Sequence, residues 1–218
     1  MKNFYSKYKF IRFWKILLLI FISAFPKLLM SQTISATNSR TTPCSDCVPA
    51  GWTDNGGTPD VSNRTQAAAN EITAGGGATW TLNNTSTANF QLPLPPNSHT
   101  TWLSLRDVGT VAGEESVTTT VAGLTIGREY EIVAYSLTAI SNFNGFSGNA
   151  TRYARNYIEE FIFEIAGVVQ SVTNVSVNAW GVSKLRFRAT ATSHTLLLRP
   201  GSNASTTNLE TVQISVTV

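Results

Sequence analysis

The segment 141–157 (SNFNGFSGNATRYARNY) gathers Phe143, Phe146 and Tyr153 with Arg152 and Arg155 among Asn and Gly. Sugars present apolar C–H faces ringed by hydroxyls, so flat aromatic rings beside guanidinium and amide donors match both parts of that surface. The segment joins two strand-like stretches and is longer than a tight hairpin, a position where loops on a rigid scaffold often carry recognition. Its aromatics could instead fold back as a lid over one end of a core. Ligand binding and lid packing are the two readings it leaves open.

Catalytic chemistry finds no comparable grouping. His99 stands beside a Pro-rich stretch and His194 in an expected hairpin turn, and neither accompanies a GxSxG, HExxH or P-loop motif. Glu114 and Glu115 are adjacent, as are Glu159 and Glu160. On strands the members of each pair point to opposite faces and cannot work together as acid and base. The sequence therefore predicts a protein that is not an enzyme.

Cys44 and Cys47, in the segment CSDC, are the only cysteines. No second pair or nearby His completes the four ligands of a structural zinc site. A redox CxxC opens a helix, and nothing around Cys44 reads as helical. A small local disulfide is expected in an oxidising compartment, with free or intermolecular thiols and redox or metal use as the alternatives.

That compartment is implied by the first 31 residues. Lys2, Lys7, Lys9, Arg12 and Lys15 precede the apolar run 16–25, which is too short to cross roughly 30 Å of hydrocarbon as a helix. A basic n-region, a short h-region and small residues make a secretory signal peptide, cut near Ser31 or, alternatively, around Ala36. The expected location is secreted or cell-surface, with no membrane span after cleavage. Six of the 16 basic and none of the 13 acidic side chains lie before residue 32, leaving 10 and 13 for a net charge of −3. The apparent basicity belongs to export, so nucleic acid is not expected as a partner.

Residues 32–50 read as a linker carrying the CxxC, and 51–218 as one domain of ordinary size. Thr, Ser, Asn, Val and Ala dominate, and no stretch shows a capped 3.6-residue apolar period, so strands are expected with little helix. Asn55, Gly56 and Gly57 supply turn positions with positive φ, and Pro93, Pro95 and Pro96 mark a loop or sheet edge. In 101–108, Trp102, Ser104 and Arg106 alternate with Leu103, Leu105 and Asp107. In 156–165, Tyr157, Glu159, Phe161, Phe163 and Ile165 form the expected core face, with Ile158, Glu160, Ile162 and Glu164 half exposed. In 184–191, Leu185, Phe187 and Ala189 point inward and Lys184, Arg186 and Arg188 outward, with Glu160 and Glu164 expected to face Arg186 and Arg188 across a ladder. Period-2 segments separated by Gly turns predict an all-β, antiparallel β-sandwich.

The order of parts carries a resemblance. Gly123, Leu124, Gly127 and Tyr130 form a G-L-x-x-G-x-x-Y turn after a strand, Trp180 precedes a strand with Phe187 and Ala189, and Asn208, Leu209 and Glu210 lead into Val212, Ile214 and Val216. This pattern resembles the galactose-binding-like jelly rolls that recur as carbohydrate-binding modules of secreted bacterial proteins, over roughly residues 51–218. The resemblance implies a noncatalytic module with a polysaccharide or glycan as partner, and a structural calcium between the start of the domain and its last strand, for which Asp60 and Glu210 match in position. A structural or adhesive cell-surface domain that contacts protein is the other expectation. Exposure of Trp80, Trp102, Phe143, Phe146 and Tyr153 is the property that separates the two.

Overall fold

The computed structural model describes residues 32–68, 78–82, 90–107, 114–141, 157–158, 160–201 and 212–218. Among them there are thirteen strands and no helix. They are β1 (Trp52–Gly56), β2 (Asp60–Asn63), β3 (Gln66–Ala67), β4 (Ala78–Thr81), β5 (Thr101–Asp107), β6 (Ser116–Ala122) and β7 (Glu129–Thr138), then β8 (Ile140–Ser141), β9 (Glu160–Ile165), β10 (Val168–Thr173), β11 (Gly181–Arg188), β12 (Ser193–Pro200) and β13 (Val212–Thr217). Two five-stranded sheets have the orders β1-β6-β12-β9-β10 and β11-β7-β13-β5-β2, and β3-β4-β8 forms a small third sheet. Every ladder between strands is antiparallel, so the chain is an antiparallel β-sandwich.

Alternation determines which side chains enter the sandwich. Phe161, Phe163 and Ile165 of β9 lie in the core with Leu196 and Leu198 of β12 and Val117 and Val121 of β6. The other sheet contributes Leu185 and Phe187 of β11, Ile132 and Ala134 of β7, Ile214 and Val216 of β13, and Leu103 and Leu105 of β5. Register makes these into layers: Leu198 lies opposite Val117 on one side and Phe163 on the other. Each such side chain taken from water contributes roughly 1.5–3 kcal/mol. The inward sets of 160–165 and 184–191 are thus as expected. Ile158 and Ile162 depart from the expectation, because both are buried and Ile158 joins the same core.

The turns follow from backbone chemistry. Gly123 and Gly127 both have positive φ, 74° and 84°, and the Gly127 N–H donates to the Ala189 carbonyl at 2.7 Å. The Tyr130 hydroxyl accepts from the Thr125 N–H at 2.8 Å, closing the same turn, and the Tyr130 ring stacks on Phe187. Of Asn55, Gly56 and Gly57, only Gly57 has positive φ; Asn55 and Gly56 lie in β1, where the register shifts between Asp54 and Gly56.

The expected pairing of Glu160 and Glu164 with Arg186 and Arg188 is corrected by the topology. β9 and β11 belong to different sheets, and the strand beside β11 is β7. Arg186 therefore lies opposite Glu131, which Lys184 and Arg186 bind at 2.8 and 2.9 Å. Both cations hold the Glu131 carboxyl below its usual range, Lys184 most strongly.

A second apolar cluster lies on the outer face of the β5 side. Trp80, Trp102, Leu92, Leu137, Ala67, Ala78 and Ala139 are buried there, with Phe90 and Trp180 packed against them. The third sheet supplies much of this cover, and every residue of β5 is consequently buried. Residues 32–50, expected as a linker, belong to the same compact unit as the strands.

Candidate functional site

Two positions frame the segment expected to bind ligand. Ser141 closes β8 opposite Trp80, and the Tyr157 hydroxyl donates to the Leu82 carbonyl at 3.1 Å. The next residue is anchored too, since the Ile158 N–H donates to Thr138 Oγ1 at 2.8 Å. Phe143, Phe146, Arg152, Tyr153 and Arg155 lie outside the described residues. The two ends of the segment nevertheless fix its root at the surface of the second apolar cluster.

That surface carries aromatic and aliphatic side chains open to solvent. Leu82 is 51% exposed and Leu94 is 44% exposed. Trp180 is half-buried, and its ring meets the buried Trp102 edge-on with centroids 5.2 Å apart. The indole N–H of Trp180 donates to the Pro93 carbonyl at 2.7 Å, which fixes the ring plane. Asn178 Nδ2 approaches the Leu82 carbonyl at 3.5 Å. Asn174 and Asn178 adopt positive φ, 61° and 53°, a conformation Asn tolerates better than most residues. The Thr138 N–H donates to Ser176 O and the Asn178 N–H to Thr138 O, so the loop carrying Trp180 is clasped to the end of β7. Trp180 read from sequence as a fold marker only; the two Asn residues at 174 and 178, spaced around a short turn before it, were the available signal for a positioned ring.

No protein-family model and no curated protein matches the chain.

Trp80 and Trp102 do not belong to any exposed platform. Both are fully buried, and the Trp80 indole N–H donates to the Asn63 carbonyl at 2.8 Å. They are core residues because a third layer covers the outer face of β5.

Asp60, the expected calcium ligand at the start of the domain, is fully buried in a polar knot. One carboxylate oxygen accepts the Asp46 N–H at 3.1 Å, and the other stands 3.9 Å from Arg106 Nη2. Arg106 also ion-pairs with Glu115 and donates to the Thr58 carbonyl at 2.8 Å. Glu115 Oε2 accepts the Arg106 backbone N–H at 2.9 Å, and Thr58 Oγ1 donates to Oε1 at 3.1 Å. Gly57 leaves the room this requires, since a Cβ there would collide with Glu115. Two buried carboxylates face one guanidinium, so the knot balances best with one proton retained. Burial pushes the Glu115 carboxyl up to about 8, with the Asp60 charge reinforcing and Arg106 opposing. Among the described residues no three His, Cys, Asp or Glu side chains gather as metal ligands, and Glu210 lies outside them.

The disulfide between Cys44 and Cys47 is formed. It is attached to this knot: the Cys44 backbone exchanges two hydrogen bonds with Val61 of β2, and the Cys47 N–H donates to Pro59 O. Glu114 and Glu115 precede β6 and diverge, Glu114 reaching Arg199 at 3.0 Å while Glu115 turns inward to Arg106.

The two histidines are placed structurally. His194 Nε2 accepts the backbone N–H groups of Thr190 and Ala191 at 3.1 and 3.2 Å. His99 Nδ1 lies 2.7 Å from Thr217 Oγ1 and 3.1 Å from Thr37 Oγ1. A hydroxyl against an imidazole is the pair used for nucleophilic catalysis. Thr37 and Thr217 are both fully buried, so neither hydroxyl can meet a substrate carbonyl in this arrangement.

Proposed function

We propose that this chain is a secreted or cell-surface, noncatalytic binding module of the galactose-binding-like jelly-roll type, and that it takes carbohydrate. The observation that supports this reading best is at the root of the 142–156 segment, where the half-buried Trp180 is tied by its indole N–H to the Pro93 carbonyl and Leu82 and Leu94 are exposed. A pre-set ring beside apolar surface stacks on the C–H face of a sugar without first losing rotamer freedom. Phe143, Phe146 and Tyr153 extend the apolar part of the site in this reading, and Arg152 and Arg155 supply hydroxyl-binding donors. Calcium, if part of this module, would use Asp60 only after displacing its present partners.

The test is retention on a panel of immobilised polysaccharides. Wild-type protein should be retarded by at least one. Replacing Phe143, Phe146 and Tyr153 together with Ala, or Leu82 and Leu94 together with Asp, should abolish the retardation while the melting temperature stays within a few degrees. Absence of retention for wild type, together with a large fall in melting temperature for the triple variant, would reject the reading and mark the loop aromatics as a lid.

A second reading, an adhesive domain that contacts protein, is favoured by the charged outer face of β7 and β11. There Val182 is 60% exposed beside the surface charges of Lys184, Arg186, Glu131 and Arg188. A protein partner retained by the Val182 face and lost on Val182→Asp would support it.

A further inference from the structure

Residues 33–47 cross between the open edges of the two sheets. At one end Thr33 exchanges two hydrogen bonds with Ala122 of β6, at 3.1 and 3.0 Å. β1 covers β6 only from Ser116 to Thr119, so Thr33 continues that cover along the same side. Ser35 then accepts the Trp52 indole N–H at 3.1 Å, Thr37 is buried against His99 and Thr217, and the Arg40 carbonyl accepts the Thr101 hydroxyl. At the other end Cys44 pairs with Val61, on the side of β2 that has no sheet neighbour. An uncovered strand edge offers its N–H and C=O groups to any other extended chain.

We propose that the leader is removed no later than the bond before Thr33, and that residues 33–47 are the edge seal of the mature domain. The first part rests on the secreted reading above. A cut around Ala36 would delete both bonds to Ala122 and the acceptor for Trp52, whereas a free amino group at Thr33 still donates to Ala122 O. The seal therefore selects between the two cleavage positions that the leader leaves open.

The experiment is intact-mass measurement and N-terminal sequencing of the protein exported from the full 218-residue chain, followed by amide exchange on that protein. An N-terminus at or before Thr33 is expected, and one at Ile34 or beyond, which has lost both bonds to Ala122, would overturn the inference. Retention of the whole leader would instead defeat the secreted reading. Exchange tests the seal in either case, because the Ala122 and Val61 amides donate to Thr33 O and Cys44 O. Both should be protected, and a chain that begins at Ala36, which lacks the Thr33 carbonyl, should exchange at Ala122 at least about tenfold faster while Val61 stays slow. Unprotected Ala122 and Val61 amides in the wild type, or unchanged Ala122 exchange in the chain that begins at Ala36, would show that the segment seals nothing.

Discussion

Glu115→Gln should flatten the dependence of stability on pH between about pH 5 and about pH 8. In the folded chain Glu115 keeps its proton up to about 8, whereas its ordinary value is 4.5. Between those values the folded state holds a proton that the unfolded state has lost, so stability falls as pH rises through the window. At 1.36 kcal/mol per unit of displacement the whole window is worth on the order of 4–5 kcal/mol. For a chain of this size each kcal/mol moves the melting temperature by about 2–4 °C, so wild type should melt on the order of 10 °C lower at the alkaline end. Calorimetry of wild type and Glu115→Gln across the window reads this directly. Asp60→Asn should also flatten the curve, because it leaves one carboxylate for one guanidinium. A Glu115→Gln protein whose melting temperature falls as steeply as that of wild type would refute the reasoning and place the proton elsewhere.

His99 acts on the acid side. Burial holds its pKa below the ordinary 6.5, so its contribution is complete above that value and is lost as pH falls through the lowered one; His99→Gln should remove this acid-side loss in urea midpoints compared at about pH 7 and about pH 5. Phe163 is fully buried and stacks on Phe161, so Phe163→Ala should cost about 3–5 kcal/mol by chemical denaturation, and a cost below about 1 kcal/mol would deny it a core position. Replacing Cys44 and Cys47 with Ser opens a very small loop and should cost about 2 kcal/mol with cooperative unfolding retained. Loss of cooperativity in that variant would show that the disulfide holds the Asp60 knot together rather than fastening one edge.

The strands that carry the sandwich were legible because period-2 alternation is a direct readout of an element with one face in a core. Residues 184–191 illustrate it: Leu185 and Phe187 are buried and Lys184 and Arg186 exposed. Alternation says nothing about what covers the other face. Trp102, Ser104 and Arg106 alternate correctly with Leu103 and Leu105, yet all five are buried, since a third layer and a polar knot lie over them. Neighbour relations were equally hidden. Glu160 and Glu164 were charge-complementary to Arg186 and Arg188, but only sheet order reveals that Glu131 lies opposite Arg186 and Glu129 opposite Arg188. The knot itself joins Asp60, Arg106 and Glu115 from separate stretches of chain, and its trace in the sequence was an Arg on the same alternating face as Trp102 and Ser104. At the candidate site, the aromatic segment drew attention by composition, while Leu82 and Trp180 at its root were invisible until β4 and the 174–180 turn were brought together.

The place of β13 has a consequence for when the molecule can form. It lies between β7 and β5, hydrogen-bonded to both, although it is the last of the thirteen strands to be synthesised. Until residues 212–217 arrive, β5 with β2 and β7 with β11 are two half-sheets with a gap between them, each exposing apolar side chains that only the completed layer buries. Closing the gap joins β13 to a β5 more than a hundred residues back and to a β7 roughly 80 residues back, loops whose entropy must be lost before the ladders return any energy. The domain should therefore mature late and in one step, with the emerging chain dependent on whatever shields it until its final strand is in place.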